Sequence, residues 1–211
     1  DIDVLTNNSP HMIWIHAPTT PELGSEFEIS VQVWDKYERL SASYLGTVEF
    51  DLISFNISSL DLVPKSSVNY SLPGEYTFTG QNPGYITDSA YLINDGKDNG
   101  MQKFNVMINT PGIHYIVVRD VSTDSISFLS KIPFKNSSFY SNPIVAFEDG
   151  SSETKIFWGD IHTHSHLSDA AGSVAHNIKY ARDIANLDFF SITDHSEIMT
   201  FTPWVFPSLE S

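Results

Sequence analysis

The chain has 211 residues, of which 41% are hydrophobic and 13% aromatic, enough for a packed core and too much for a disordered chain. Its formal charge of −15, with 26 acidic residues against 11 lysines and arginines, excludes nucleic-acid binding by charge attraction. Cysteine is absent, which excludes disulfides and thiolate metal ligands and leaves His, Asp and Glu as the metal-binding vocabulary.

No run of about eighteen apolar residues occurs, so no membrane span is expected. The chain opens Asp1-Ile2-Asp3 with neither a Met nor a signal segment, and the start reads as processed or truncated. Asn-x-Ser sequons stand at Asn7, Asn56, Asn69 and Asn136 as possible N-glycosylation sites. In an acidic, lysine-poor chain they point to an exported protein, extracellular or at the cell surface.

The first 150 residues carry strand patterns. Met12 to His16 is a short candidate. In Glu26 to Trp34, Phe27, Ile29, Val31 and Val33 alternate with partners of the other face, the period of a half-buried strand. Thr47 to Leu52 repeats the pattern, and Tyr76 to Phe78 is shorter. Gln102 to Ile108 and Ile113 to Arg119 flank a turn at Thr110-Pro111-Gly112. Ser125 to Ile132 and Ile144 to Phe147 complete the series. No segment here has a helical period. Short strands separated by turn signals predict an antiparallel immunoglobulin-like β-sandwich over residues 1–149, with an irregular lead. Its usual Cys and Trp core markers are missing. The loop from Asn94 to Gly100 lacks the ligand spacing of an EF-hand and reads as a solvated turn. His11, His16 and His114 stand alone, as surface or packed histidines.

Residues 150–155 are small and polar, a linker to an α/β segment at 156–211. Lys155 to His162 begins as an apolar strand and ends in ligand-type residues. Ser173 is a good N-cap for a helix whose apolar face is Val174, Ile178, Ala181 and Ala185, with Lys179, Arg182 and Asp183 on the other side. Leu187 to Thr193 is a second, buried strand. Strand, helix and strand in this order predict a βαβ unit with parallel strands and a right-handed crossover.

Five of the eight histidines lie between His162 and His195. His162 and His164 are two apart at a strand end and so face the same way. Asp169 follows in the next loop, and His195 ends the neighbouring strand. In parallel α/β folds, ligands collect at these carboxyl ends, so all four groups can converge on one metal-binding rim. A serine hydrolase fits less well, since no Gly-x-Ser-x-Gly elbow is present.

His162-Thr163-His164-Ser165-His166-Leu167-Ser168-Asp169 resembles the first motif of the polymerase and histidinol phosphatase (PHP) superfamily, His-x-His-Thr-x-x-Ser-Asp-Gly. Thr193-Asp194-His195 resembles its second. Trp158-Gly159-Asp160-Ile161-His162, with Ala181-Arg182-Asp183 ahead of Leu187-Asp188-Phe189, is similar to the PHP-like proteins called DUF3604, which tend to carry a β-sandwich before the metal domain. The resemblance covers about residues 142 to 198. It implies a distorted β/α barrel that hydrolyses small phosphorylated substrates with divalent metal ions (Zn, Mn or Fe). It also implies that His162 and His164 hold one metal and that Asp169 and His195 help to hold another. Asp160 and Asp194 are then partners that fix imidazole tautomers. His166 falls at a variable family position.

Ser165 stands where the family has Thr, and Ala170 where it has Gly. Only sixteen residues follow His195, and Glu197 and Glu210 are the acidic ones among them. The family's bridging Glu and late Asp-x-His have no counterpart there. The expectation is the N-terminal part of a PHP-like hydrolase, about two of seven βα units, with little or no activity alone. The alternative is an extracellular structural, assembly or binding sandwich carrying a degenerate PHP remnant, with self-assembly or a completing chain as its partner.

Overall fold

The computed structural model describes residues 9–37, 39–80, 96–122, 138–148 and 155–196. The chain divides into two compact units, Asp1–Lys155 and Ile156–Ser211.

In the first unit, β1 (Met12–His16), β2 (Glu26–Trp34), β7 (Met101–Ile108) and β5 (Tyr70–Ser71) form a four-stranded sheet in the order β1-β2-β7-β5. The second sheet runs β10-β8-β3-β4, from β10 (Ile144–Ala146), β8 (Gly112–Asp120), β3 (Thr47–Phe55) and β4 (Leu62–Val63). There β6 (Glu75–Thr77) pairs with β3, and β9 (Ser138–Tyr140) pairs with β8. All these pairings are antiparallel. One core joins the sheets. Ile13, Ile15, Ile29, Val31, Val33, Val106 and Ile108 come from the first, and Val48, Phe50, Leu52, Ile116, Val118 and Ile144 from the second. The unit is an antiparallel β-sandwich of immunoglobulin-like architecture.

The alternation that marks β3 in the sequence is the observed one, with Val48, Phe50, Leu52 and Ser54 all buried. Strand β2 departs from it, because Ser30 and Gln32 are buried between its core residues. The two pair with each other, Gln32 Nε2 donating to Ser30 Oγ at 3.2 Å, and Gln32 Oε1 accepts from Trp34 Nε1 at 2.9 Å. Trp34 stands edge-on to Trp14, ring centroids 5.1 Å apart. The outer face of this central strand is thus also covered. A buried polar side chain is tolerable here because its hydrogen bonds are made.

His114 is packed, fully buried within β8. Its Nε2 donates to the Thr110 carbonyl at 2.8 Å, which leaves Nδ1 to accept from Ser54 Oγ at 2.8 Å. One neutral tautomer therefore ties β3, β8 and the β7–β8 turn together. Burial pushes the imidazole's pKa down.

Several expectations shift in detail. Strands β4, β5 and β9 carry only two or three residues each, too few for a period to register. Residues 96–100 do not form a solvated turn throughout, since Asn99 and Gly100 are buried. Asp98 Oδ2 accepts from Tyr76 Oη at 3.2 Å and Thr79 Oγ1 at 3.0 Å, fastening the loop to the end of β6. The predicted strand at 125–132 lies outside the described residues, as do residues 150–154 of the predicted linker. Among the described residues no helix is long and apolar enough to cross a membrane.

In the second unit, β11 (Gly159–Thr163), α1 (Val174–Asp183) and β12 (Phe189–Ile192) follow one another, and β11 and β12 pair in parallel. The first strand begins at Gly159 rather than Lys155. Ile156, Phe157 and Trp158 precede it and are exposed. Gly159 lies so close to the Phe189 carbonyl and ring that a β-carbon would collide with both. Strand β12 is not buried as predicted. Phe189 is 47% exposed and Ile161 on β11 is 69% exposed, because the two strands and one helix among the described residues of this unit are too few layers to cover both faces. Ser173 caps the helix as expected, accepting from the His176 N–H at 3.1 Å. The buried helix residues are Ala181 and, at its cap, Ile184, while Ile178 is 47% exposed. The inward stripe is therefore rotated from the predicted face.

Candidate metal centre

The parallel pairing brings the carboxyl ends of β11 and β12 to the same side. The pairing continues past the strands, with Thr193 N–H donating to the Thr163 carbonyl at 2.7 Å and Thr163 Oγ1 to the Ser191 carbonyl at 2.9 Å. At the opposite ends, Trp158 and Asp188 pair reciprocally. Asp188 N–H donates to the Trp158 carbonyl at 2.8 Å, and Trp158 N–H to Asp188 Oδ2 at 2.8 Å. The strands are fixed at both ends, so the loops leaving their carboxyl termini are held side by side.

Those loops carry His164, Asp169 and His195. Among the described residues this is the group of three His, Asp or Glu donors able to hold one ion, each offering an atom within 4.8 Å of the others. His164 Nδ1 and Asp169 Oδ1 are hydrogen-bonded at 2.6 Å, and His195 Nε2 lies 3.7 Å from Asp169 Oδ2. The rings of His164 and His195 are 4.6 Å apart at 74°. His164 is 17% exposed and Asp169 50%, so the site is open on one side. The His164 hydrogen bond draws the Asp169 carboxyl below its usual range, with the Ser168 hydroxyl and the nearby His195 adding to it.

His162 stands beside this group but outside it. Its ring is 5.2 Å from that of His164 and tilted by 34°, so the two histidines do face one side. The structure thus joins three of the four sequence-predicted ligands directly and places the fourth next to them. The pairs differ from those implied by the resemblance, because His164 joins Asp169 and His195 rather than His162.

Asp160 and Asp194 differ from expectation, since the bonds they make go elsewhere than to imidazoles. Asp160 Oδ1 accepts from the backbone N–H of His162 at 3.0 Å. Asp194 Oδ1 accepts from Ser165 N–H and from Ser168 Oγ, both at 2.6 Å, and Asp194 Oδ2 accepts from Ser165 Oγ at 2.6 Å. The Ser165 and Ser168 hydroxyls lower its carboxyl pKa to about 2. The physical reason is reach. A carboxylate one residue before His195 meets the backbone of the adjacent loop before it meets a ring.

His166 Nδ1 donates to the Gly172 carbonyl at 3.0 Å, and the His166 N–H donates to the same carbonyl at 2.9 Å. This histidine closes the loop. Gly172 has φ +83°, and a β-carbon there would strike the Asn177 side chain. Asn177 Nδ2 donates to the His164 carbonyl at 3.1 Å. Ser165, Ser168 and Asn177 are residues that the sequence reading did not assign. The usable signal was the Ser165 to Ser168 spacing of three, which puts two hydroxyls on one side of a tight turn. His176 is half-buried and lends its backbone N–H to the helix cap. Of the sequons, Asn56 and Asn69 are exposed, while Asn7 and Asn136 lie outside the described residues, as do the late acidic residues Glu197 and Glu210.

Two imidazoles and a carboxylate within a few ångströms, at paired carboxyl ends and with one open side, define a candidate divalent-cation centre on a βαβ unit that follows a β-sandwich. No family model matches the sequence, and no curated protein matches it. The chain is similar to the D00-D0 domain of intimin, at 10% identity and TM-score 0.37 over 66% of this chain and 50% of that one. It is also similar to the Lin-41 filamin domain, at 10% identity and TM-score 0.29 over 66% of this chain and 97% of that one. Domains 4 and 5 of the S-layer protein SbsC match at 11% identity and TM-score 0.32, over 66% and 46%. The chain spans about half the length of the intimin domain it matches. Likenesses this distant carry no argument about function.

Proposed function

We propose that this chain supplies the opening ligands of a metal-dependent hydrolase of phosphoester type, of the PHP and DUF3604 kind that its motifs resemble. The observation that carries the reading is the convergence of His164, Asp169 and His195, from two loops some thirty residues apart, to within 4.8 Å. The donor set fits a divalent Zn, Mn or Fe ion, since neutral imidazole and carboxylate suit all three. His164, Asp169 and His195 would hold the ion, with His162 adjacent to widen the set. Bound there, it would supply Lewis-acid stabilisation to a phosphoryl group.

The chain's own residues do the rest of the work visible here. Asp169 holds the His164 ring in place through a 2.6 Å hydrogen bond and brings a negative charge that favours a cation. Asp169 and His195 are half-exposed, so the site is reached from solvent. The resemblance assigns further ligands to later parts of a barrel, so three donors on this chain bind an ion without completing the chemistry. Asn56 and Asn69 are exposed, as sequons must be if they are to be used in an exported protein.

With Mn²⁺ or Zn²⁺ present, residues 1–211 should hydrolyse a generic aryl phosphodiester no faster than the buffer with metal alone. Turnover above that background, lost in His164→Ala, would show that the chain holds a complete site and would contradict the partial-site reading.

A further inference from the structure

Ser165 is fully buried on a loop, between the partly buried His164 and the exposed His166. It owes this to Asp194, which reaches across from the end of the neighbouring strand. Asp194 takes its backbone N–H, its hydroxyl, and the hydroxyl of Ser168 three residues further on. These bonds straddle the cluster. Ser165 follows His164, Ser168 precedes Asp169, and Asp194 precedes His195. On the other flank, Asn177 from α1 holds the His164 carbonyl, and the His166 ring closes the loop onto Gly172. A loop of this length, left to itself, would spread its ligands over many conformations, and ordering it would cost binding energy.

We infer that Asp194 is a positioning residue, whose clamp on Ser165 and Ser168 pre-sets the spacing of His164, Asp169 and His195 for a divalent cation. This rests on the reading of the cluster as a metal centre. Asp194 does not touch the ion. It acts through the two serines, and its place beside His195 means that one peptide unit couples both loops. Outer partners of metal ligands typically change affinity by about 10–100-fold when removed. Charge-assisted hydrogen bonds from two hydroxyls and an N–H make this clamp a strong instance.

The test is zinc titration of the 1–211 chain by calorimetry, with urea unfolding of the metal-free protein in parallel. Asp194→Ala should weaken zinc binding by about 10–100-fold, and Ser168→Ala by less. Asp194→Asn should recover most of the loss, because its amide oxygen can still accept from Ser165 N–H and Ser168 Oγ. The metal-free urea midpoint of the sandwich should not move in any of them. Zinc binding by Asp194→Ala within about twofold of the parent chain, with the parent binding normally, would overturn the positioning role and leave the metal centre standing. Equal losses in the Asn and Ala variants would also overturn it, pointing to Asp194 as a ligand. A parent chain that binds no zinc would overturn the metal centre and the positioning role together.

Discussion

Replacing His164 with alanine should weaken zinc binding by at least about 100-fold, beyond the range usual for removing an outer partner of a ligand. His164 is the central member of the cluster. Its ring lies 4.6 Å from that of His195 and 5.2 Å from that of His162, and its Nδ1 holds Asp169. The substitution removes one donor and releases a second, since the Asp169 carboxylate loses the bond that sets its direction. His195→Ala should cause a comparable loss. His162→Ala should weaken binding less than tenfold, because its ring stands outside the group of donors within 4.8 Å. Titration calorimetry on the three variants ranks them. A larger loss at His162 than at His195 would move the ion to the His162 and His164 pair. The sandwich core is untouched by these changes, so the metal-free proteins should unfold at the parent urea concentration.

His114→Ala acts on the other unit and on stability. The imidazole is fully buried and bonded at both nitrogens, so truncation leaves the Ser54 hydroxyl and the Thr110 carbonyl without their partner and opens a cavity between them. Stranded polar groups cost about 1–3 kcal/mol each, and cavities add to that, giving a loss of about 3 kcal/mol. Against a total stability of about 5–15 kcal/mol this is a large fraction. The parent should also show a pH dependence that the variant lacks. Burial lowers the folded-state pKa of His114 below the unfolded value of about 6.5, so the fold binds fewer protons there than the unfolded chain. Its contribution is fully present above about pH 6.5 and is lost as pH falls from there through the lowered value. Urea midpoints measured from pH 7.5 to 4.5 should therefore fall more steeply in the parent than in His114→Ala. Parallel slopes would show that His114 takes up its proton in the fold as readily as in the unfolded chain, which would contradict its dry burial.

The strands were legible where the period of two is long. Glu26 to Trp34 and Thr47 to Leu52 are observed within a few residues, because each turns its alternate apolar residues into one core. Strands β4, β5 and β9 were not legible, since two or three residues cannot show a period and their pairing is decided by the strand beside them, whereas the equally short β6 and β10 were marked by their apolar residues. The helix stripe was placed one step off. Ile184 rather than Ile178 points inward, a choice set by which side of α1 meets the thin sheet. Residue types and spacing picked out the side chains that converge, since His-x-His and Asp-His stand at the ends of β11 and β12 and Ser-Asp lies in the loop that follows β11. The roles of Asp160 and Asp194 were not legible, because a carboxylate's partner depends on the backbone path of the adjacent loop. Nor was the packing of His114, a lone histidine in an apolar strand whose two partners are distant Ser54 and nearby Thr110.

The atoms around a bound ion decide whether this cluster is a metal centre. X-ray absorption at the zinc edge of the zinc-loaded chain measures them directly. The predicted shell has two imidazole nitrogens at about 2.0–2.1 Å and a carboxylate oxygen at about 2.0–2.2 Å, with solvent completing it. Removal of one imidazole signal in His164→Ala should follow. A shell of oxygen atoms alone, with no imidazole scattering, would contradict the assignment of His164, Asp169 and His195 as a metal centre.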